Sequence, residues 1–177
     1  MIFTETKLKG AYVIELERMT DDRGYFARRW CAMEFSSHGL SPIVAQVNIG
    51  HSAKKGTIRG MHFQTVPHAE VKVVHCSRGS LYDVIIDLRN GSPTKGQWVG
   101  VELTVNSGRM LYVPEGFAHG YQTLEDDTDL VYQTSQLYAK ESATGVRYND
   151  SAFGVVWPLP VSIVSLGDRN WPDYKGD

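Results

Sequence analysis

Two histidines and one lysine carry most of the chemical information in this sequence. His62 lies within residues 59–64 and His119 within residues 114–120, and each is on a β-like segment that follows a glycine-bearing turn. An imidazole can accept and release a proton near neutral pH. The ammonium group of Lys72 can stabilise negative charge on a nearby oxygen. Together, these residue types indicate a site for proton transfer.

The spacing of these residues resembles a metal site in which two ligands have been replaced. Residues 108–119 fit the pattern G-x5-P-x-G-x2-H, which resembles the second motif of the cupin superfamily. The four positions that correspond to cupin metal ligands are His62, Gln64, Lys72 and His119. An ammonium group repels a cation, and an amide is a poor ligand for a transition metal. We therefore expect no metal and no cofactor. The alternative is a metal-dependent oxygenase or phosphosugar isomerase, which bound metal would favour.

Length, charge and cysteine content limit the class of protein. A chain of 177 residues is expected to form one domain, residues 1–177, around one core. The net charge of −2 argues against nucleic-acid binding, because phosphates require a basic excess. No signal-peptide pattern is evident, and no apolar run approaches the roughly 20 residues of a membrane helix. Cys31 and Cys76 do not suggest a disulfide framework, so we predict a cytoplasmic protein without a membrane partner.

Short β-like runs separated by turn residues dominate the chain. Apolar and polar residues alternate clearly in 81–87. Helical signal is limited to residues 31–38. The tail after Pro158 is predicted to be irregular but packed on the domain through Trp157 and Trp171. Many short strands at close spacing predict an all-β fold, a cupin-type jelly-roll barrel with a few short helices. The predicted strands are residues 12–16, 44–48, 57–63, 71–76, 80–87, 98–103, 109–113 and 129–135.

A series of short blocks in a fixed order points to a known family. The blocks are residues 22–26, 59–64, 67–72, 82–89, 91–94 and 114–120, followed by Tyr132, 149–150, 157–158 and 165–168. Over nearly its whole length the chain thereby resembles the dTDP-4-dehydrorhamnose 3,5-epimerase family, cupin-fold enzymes of nucleotide-sugar biosynthesis. The resemblance implies a nucleotide-sugar substrate and a homodimer. It also implies a product that feeds a reductase making an L-sugar.

The resemblance further implies a role for each residue of an acid–base set. His62 would remove the proton next to the C4 ketone, and Asp168 would orient it. Tyr132 would donate a proton on the opposite ring face, because a single base can return a proton only to the face it came from. Lys72 would stabilise the enolate at O4. The implied substrate-binding residues are Gln46, Asn48, Arg59, His119 and Tyr138, with Arg23 and Phe26 supplied by the partner subunit.

The sequence leaves open which nucleotide the substrate carries and whether one or both sugar centres are inverted. Many family members carry a glutamate near the nucleobase where this chain has Arg28. The alternatives are a 3- or 5-only epimerase, an enzyme for a CDP- or GDP-linked keto-sugar, and a non-catalytic sugar-binding jelly roll. Spacing alone does not decide whether Lys72 faces a cavity or water. His51, His68 and His75 have no supporting pattern and are predicted to be structural or solvent-facing.

Overall fold

Strands account for most of the regular structure in the computed structural model, which describes residues 1–176. The strands are β1 (Ile2–Glu5), β2 (Tyr12–Glu15), β3 (Met19–Asp21), β4 (Gly24–Phe26), β5 (Gln46–Ser52), β6 (Thr57–Gln64), β7 (Lys72–Arg78), β8 (Ser80–Asp87), β9 (Trp98–Thr104), β10 (Met110–Val113), β11 (Phe117–Thr123), β12 (Thr128–Thr134), β13 (Ala143–Gly145) and β14 (Ile163–Val164). The helices are α1 (Ala32–Ser37) and α2 (Leu166–Arg169).

Two largely antiparallel sheets face each other across the main core. The first has the strand order β1-β2-β10-β7-β12-β5, and the second has the order β13-β6-β11-β8-β9, with β14 added in parallel beside β6. The strands β3 and β4 form a separate two-stranded hairpin. Strands that are distant in sequence are neighbours in each sheet, because the chain crosses repeatedly from one sheet to the other, as in a jelly roll. The predicted all-β jelly-roll architecture is confirmed.

Clusters of buried side chains pack between the two sheets and on part of the outer face of each sheet. The cluster between the sheets joins Val74 and Leu130 of the first sheet to Leu81 and Ile85 of the second. A second cluster covers the outer face of the first sheet, where Phe35 of α1 packs. A third covers the outer face of the second sheet with side chains from the C-terminal part of the chain. In β8, seven of the eight residues are buried, so both faces of this strand are covered.

A contact between two glycines sets the close approach of β6 to β11. Gly60 has a φ of +130°, and a Cβ atom at this position would lie 2.5 Å from Cα of Gly120. The register of the two strands shifts immediately beyond the cross-strand pair His119 and His62. A side chain on either glycine would push the strands apart. The two glycines therefore allow the two histidines to be direct neighbours.

The observed elements include all eight predicted strands, with boundaries shifted by at most four residues. The predicted helix over residues 31–38 is confirmed as α1. The prediction of an irregular tail was wrong for β14 and α2, which lie within it. The predicted packing of the tail is confirmed, because Trp157 joins the third cluster and the ring of Trp171 lies against Gly145. The sequence patterns missed β1, β3, β4, β13, β14 and α2, and they indicated β11 only as the β-like segment that carries His119. Across residues 1–176, none of the helices has the length and apolar character needed to cross a membrane.

Candidate active site

A cavity of about 680 Å³ opens between the two sheets. One wall is formed by β5, β7 and β12 of the first sheet, and the other by β6 and β11 of the second. Lys72 and Tyr132 line the cavity from the first wall, and Arg59, His62 and His119 line it from the second. His62 and Tyr132 therefore reach one cavity from opposite sides.

His62 is paired with a buried carboxylate. Its Nε2 lies 2.6 Å from Oδ1 of Asp168, a residue of α2 that is only 7% exposed. Oγ of Ser165 accepts a hydrogen bond from the backbone N–H of Asp168 and so caps the short helix. Burial raises the pKa of Asp168, but hydrogen bonds from His62 and from the backbone N–H of Gly60 outweigh it, and the net pKa is lowered. The ionised carboxylate holds the Nε2–H tautomer of His62, which leaves the Nδ1 lone pair as the basic site.

A second histidine–carboxylate pair lies beside the first. Nε2 of His119 is 2.9 Å from Oδ2 of Asp83, and His119 is the cross-strand neighbour of His62. Complete burial raises the pKa of Asp83, although His119 and Lys72 act in the opposite direction. Sequence reasoning missed Asp83. The available signal was an acidic residue at an otherwise apolar, inward-facing position of β8.

Lys72 is buried at the cavity wall and does not face water. It is 8% exposed, and its Nζ donates a hydrogen bond of 3.2 Å to the backbone oxygen of His62. Nζ also lies 2.9 Å from Oε1 of Glu70, a cavity residue that sequence reasoning missed. Val71 packs in the outer cluster of the first sheet, as the alternation of an extended chain requires. Lys72 therefore places a positive charge next to the candidate base.

Tyr132 faces the cavity from β12. It is the cross-strand neighbour of Asn48 on β5, and both side chains line the cavity. Burial raises the pKa of the Tyr132 phenol, the carboxylate of Glu70 raises it further, and Arg59 opposes this effect. The phenol is therefore protonated at neutral pH and is available as a proton donor.

The other predicted ligands make part of the cavity polar and cationic. Arg59 is held in place by hydrogen bonds from Nε to a serine hydroxyl and from Nη2 to a backbone carbonyl. Oε1 of Gln46 accepts a hydrogen bond of 2.8 Å from the backbone N–H of Tyr138, which brings that ring to the cavity. Among the described residues that line it, three cations (Arg59, Lys72 and Lys140) stand against one carboxylate. This charge balance suits an anionic ligand.

Two residues predicted to contact the nucleotide lie outside this cavity. Arg23 is at the tip of the hairpin formed by β3 and β4, where its guanidinium lies 2.5 Å from the carboxylate of Asp21. Phe26 is 64% exposed at the end of the same hairpin. Neither side chain lines the cavity of its own chain. Any contribution of these two residues to a substrate site would have to be made to a second copy.

Gln64 anchors a loop at the cavity edge. Its Nε2 donates hydrogen bonds to the backbone oxygens of His68 and Leu137, and its Oε1 accepts one from the backbone N–H of Ala139. These contacts fix the segment that carries Tyr138. Within residues 1–176, no three His, Cys, Asp or Glu side chains are grouped as a metal site would require.

The three histidines without a sequence pattern do not line the cavity. His51 is exposed, and its Nδ1 lies 2.6 Å from Asp129. Nδ1 of His68 forms a hydrogen bond of 2.9 Å with Oγ of Ser142. Burial lowers the pKa of His75 to about 4. His38 also lies outside the cavity, so His62 and His119 are the two of the six histidines that line it.

Comparisons with known proteins agree on one family. The family model described as dTDP-4-dehydrorhamnose 3,5-epimerase matches residues 5–176. The dTDP-4-dehydrorhamnose 3,5-epimerase of Methanothermobacter thermautotrophicus is 40% identical over 176 residues, which cover 98% of this chain and 94% of the relative. A crystal structure of the enzyme of that name from Elizabethkingia anophelis NUHP1 matches with a TM-score of 0.96 and 38% identity, covering 99% of this chain and 97% of that one. Another, from Bacillus anthracis str. Ames with TDP and PPi bound, matches with a TM-score of 0.93 and 38% identity, covering 98% of this chain and 99% of that one. The chain therefore belongs to the dTDP-4-dehydrorhamnose 3,5-epimerase family.

Proposed function

We propose that this protein converts dTDP-4-dehydro-6-deoxy-D-glucose to dTDP-4-dehydro-L-rhamnose by inverting C3 and C5. The observation that carries this assignment is the placement of His62 and Tyr132 on opposite walls of one cavity. Inversion of a carbon centre requires that a proton leave one face and that another arrive on the opposite face. Family membership, and the TDP bound to the Bacillus anthracis relative, support the choice of nucleotide.

His62 acts as the base in this reaction. Because Nε2 is held by Asp168 at 2.6 Å, the Nδ1 lone pair receives the proton from C3 or C5. Both carbons are adjacent to the C4 ketone, so removal of either proton gives an enolate with its negative charge on O4. The ionised Asp168 stabilises the imidazolium that forms, as a buried carboxylate does beside other catalytic histidines.

Lys72 stabilises the enolate. Its Nζ is 3.2 Å from the backbone oxygen of His62, so its charge lies next to the place where the proton is removed. Loss of one donor to a developing oxyanion typically lowers the rate on the order of 10²–10³-fold. His119, held by Asp83, offers its other ring nitrogen to the sugar or to the diphosphate.

Tyr132 supplies the proton on the opposite face. Its phenol gives a proton to the carbanion carbon and becomes a phenolate, while His62 holds the proton that left the substrate. Exchange of both groups with water restores the phenol and the neutral imidazole, and the same sequence then operates at the second carbon. Since only protons move and no electrons are exchanged with a partner, the reaction needs no cofactor.

The diphosphate and the sugar are held by the polar residues of the cavity. Arg59 presents a guanidinium, whose planar fork is suited to phosphate oxygens. Gln46 and Asn48 lie on the cavity face of β5, and Tyr138 lies on the adjoining loop. Lys140 adds a second charge to this part of the wall.

We further propose that the protein works as a homodimer in which Arg23 and Phe26 contact the nucleotide of the partner. Tyr25 and Phe26 on the hairpin are 55% and 64% exposed, and Val47 on the outer face of β5 is 60% exposed. An isolated two-stranded hairpin is marginally stable on its own, so packing against a second copy would stabilise it. The opposite face of β5 lines the cavity, so a hairpin packed on that strand would lie next to the partner's site.

We also propose that residues 1–177 act as one domain in the cytoplasm. Asp168, close to the C-terminus, completes a pair with a histidine on β6, so the C-terminal segment is part of the same site. Cys31 and Cys76 are free thiols, as is usual in a reducing compartment.

Analysis of the product tests this function. The protein is incubated with dTDP-4-dehydro-6-deoxy-D-glucose, the ketone is reduced with borohydride, and the sugars released by hydrolysis are separated by configuration. Inversion at both centres gives L-rhamnose among the products. Recovery of uninverted D-sugars alone would contradict the assignment. The same assay with CDP- and GDP-linked keto-sugars tests the nucleotide, and equal turnover of all three would contradict the choice of dTDP.

A further inference from the structure

Glu70 is the one carboxylate among the described side chains that line the cavity. It stands two residues before Lys72, and Val71 between them packs in the outer cluster of the first sheet. The alternation of the chain therefore directs both charged side chains to the cavity. Oε1 of Glu70 lies 2.9 Å from Nζ of Lys72, and each side chain is only 10% exposed. This is a nearly buried ion pair at the wall of the candidate site.

A carboxylate is unexpected at this position, for two physical reasons. Two charges lose hydration when they are buried, and a buried ion pair is weak evidence of a contribution to stability. A carboxylate near O4 would also repel the enolate that forms there. A site built only to bind an anion would do better with an uncharged residue at this position. The retained carboxylate is therefore expected to serve the lysine beside it.

We propose that Glu70 is a positioning residue for the epimerisation, which anchors the ammonium of Lys72 at the cavity wall where O4 of the substrate binds. This role rests on the epimerase function proposed above. Lys72 has a long side chain with many rotamers, and an isolated ammonium would lose entropy on being fixed. Two contacts fix it here, the carboxylate of Glu70 and the backbone oxygen of His62 at 3.2 Å. The lysine is thus in place before the enolate forms.

The same carboxylate affects the candidate acid. Burial raises the pKa of Tyr132, and Glu70 raises it further, because a phenolate near a carboxylate is disfavoured. The groups that face Tyr132 from the other strands are Arg59 on β6, which lowers the pKa, and Tyr121 on β11. Removing the charge of Glu70 should therefore lower the pKa of Tyr132. The alkaline limb of the pH–rate profile, above which the acid is deprotonated, should move to lower pH.

A double-mutant cycle with Lys72 tests this role. The proteins are wild type, Glu70→Gln, Lys72→Met and the double variant, with Glu141→Gln as a control because its side chain is 73% exposed. We expect Glu70→Gln to lower kcat about 10- to 100-fold, less than loss of the donor itself, with KM changed less than about threefold and the alkaline limb shifted to lower pH. In the Lys72→Met background, Glu70→Gln should change kcat less than about threefold, because the residue acts through Lys72. Glu141→Gln should match the wild type.

Crystal structures of the wild type and of Glu70→Gln give a readout that does not depend on activity. We expect Nζ of Lys72 to leave its contact with the backbone oxygen of His62 in the variant. An unmoved lysine with unchanged kcat would overturn the role of Glu70, and so would equal effects of Glu70→Gln in both backgrounds. Absence of turnover in the wild type would instead count against the epimerase function, and the position of Lys72 in the two structures would still decide whether Glu70 anchors it.

Discussion

Replacing Asp168 by asparagine would remove one charge from the site while preserving the shape of the side chain. The carboxylate accepts hydrogen bonds from Nε2–H of His62 at 2.6 Å and from the backbone N–H of Gly60 at 3.3 Å. An asparagine offers one oxygen and one NH₂ group, so one of these two donors would face another donor. The arrangement that satisfies Gly60 turns the NH₂ group toward His62. Nε2 must then accept a hydrogen bond, the ring proton moves to Nδ1, and the basic site is lost.

The expected loss of activity can be worked from these contacts. A well-placed general base contributes about 10²–10⁴ in rate. A hydrogen bond to a charged group contributes about 1.5–3 kcal/mol, which is roughly a 10- to 150-fold effect on the imidazolium that forms. We therefore expect Asp168→Asn to lower kcat on the order of 10³-fold. KM should change little, because Arg59 and the other proposed ligands of the diphosphate are not altered.

The assay is turnover of dTDP-4-dehydro-6-deoxy-D-glucose by the wild type, Asp168→Asn and the control Glu141→Gln, whose side chain is 73% exposed. Circular dichroism and thermal unfolding establish that each protein is folded. The control should have the kcat of the wild type. A folded Asp168→Asn variant with kcat within about threefold of the wild type would refute the claim that this carboxylate orients His62.

Three further predictions follow from the site and the fold. Tyr132→Phe should lower the rate of inversion about 10²–10⁴-fold, while His62 should still exchange substrate hydrogen with retention of configuration. NMR can follow hydrogen exchange and configuration separately. An unchanged rate of inversion would exclude Tyr132 as the acid. Burial lowers the pKa of His75 from 6.5 to about 4. As the pH falls, the unfolded chain therefore takes up this proton before the folded chain does. The wild type should lose about 2 kcal/mol of folding stability between pH 7 and pH 4.5. Urea unfolding at both pH values should show that His75→Gln does not suffer this loss, and equal losses in both proteins would contradict it. Gly60→Ala should lower the free energy of unfolding by about 1–3 kcal/mol, because its Cβ would lie 2.5 Å from Cα of Gly120; a variant as stable as the wild type would contradict the packing at this crossing.

The candidate acid–base set could be predicted because its members lie in local blocks with a family resemblance. His62, Lys72 and Asp168 each lie in such a block, and the structure brings all three together. The direction of the Lys72 side chain could not be predicted from the sequence. Its apolar neighbours indicate that Lys72 points to the opposite side of the strand from them, but they do not show whether that side borders a cavity or water. It is decided by Val71, which packs on the outer face of the first sheet.

The features that the sequence did not reveal depend on contacts between distant segments. All seven residues of β11 are buried, so the β-like segment that carries His119 has no alternation of exposed and buried positions from which its bounds could be predicted. α2 has four residues, too few for a helical period, yet it places Asp168 beside β6. Asp83 and Glu70 belong to the site only because they contact His119 and Lys72, which the sequence does not show. In the sequence, an acidic residue on a strand is equally consistent with an ordinary surface position.

The most direct test of the whole account is proton NMR of dTDP-4-dehydro-6-deoxy-D-glucose incubated with the protein in D₂O, alongside His62→Ala. The mechanism predicts that deuterium enters at both C3 and C5 with the wild type and at neither carbon with the variant. Exchange at one carbon alone would reduce the activity to that of a single-site epimerase. Exchange at both carbons that persists in His62→Ala would contradict the assignment of His62 as the base.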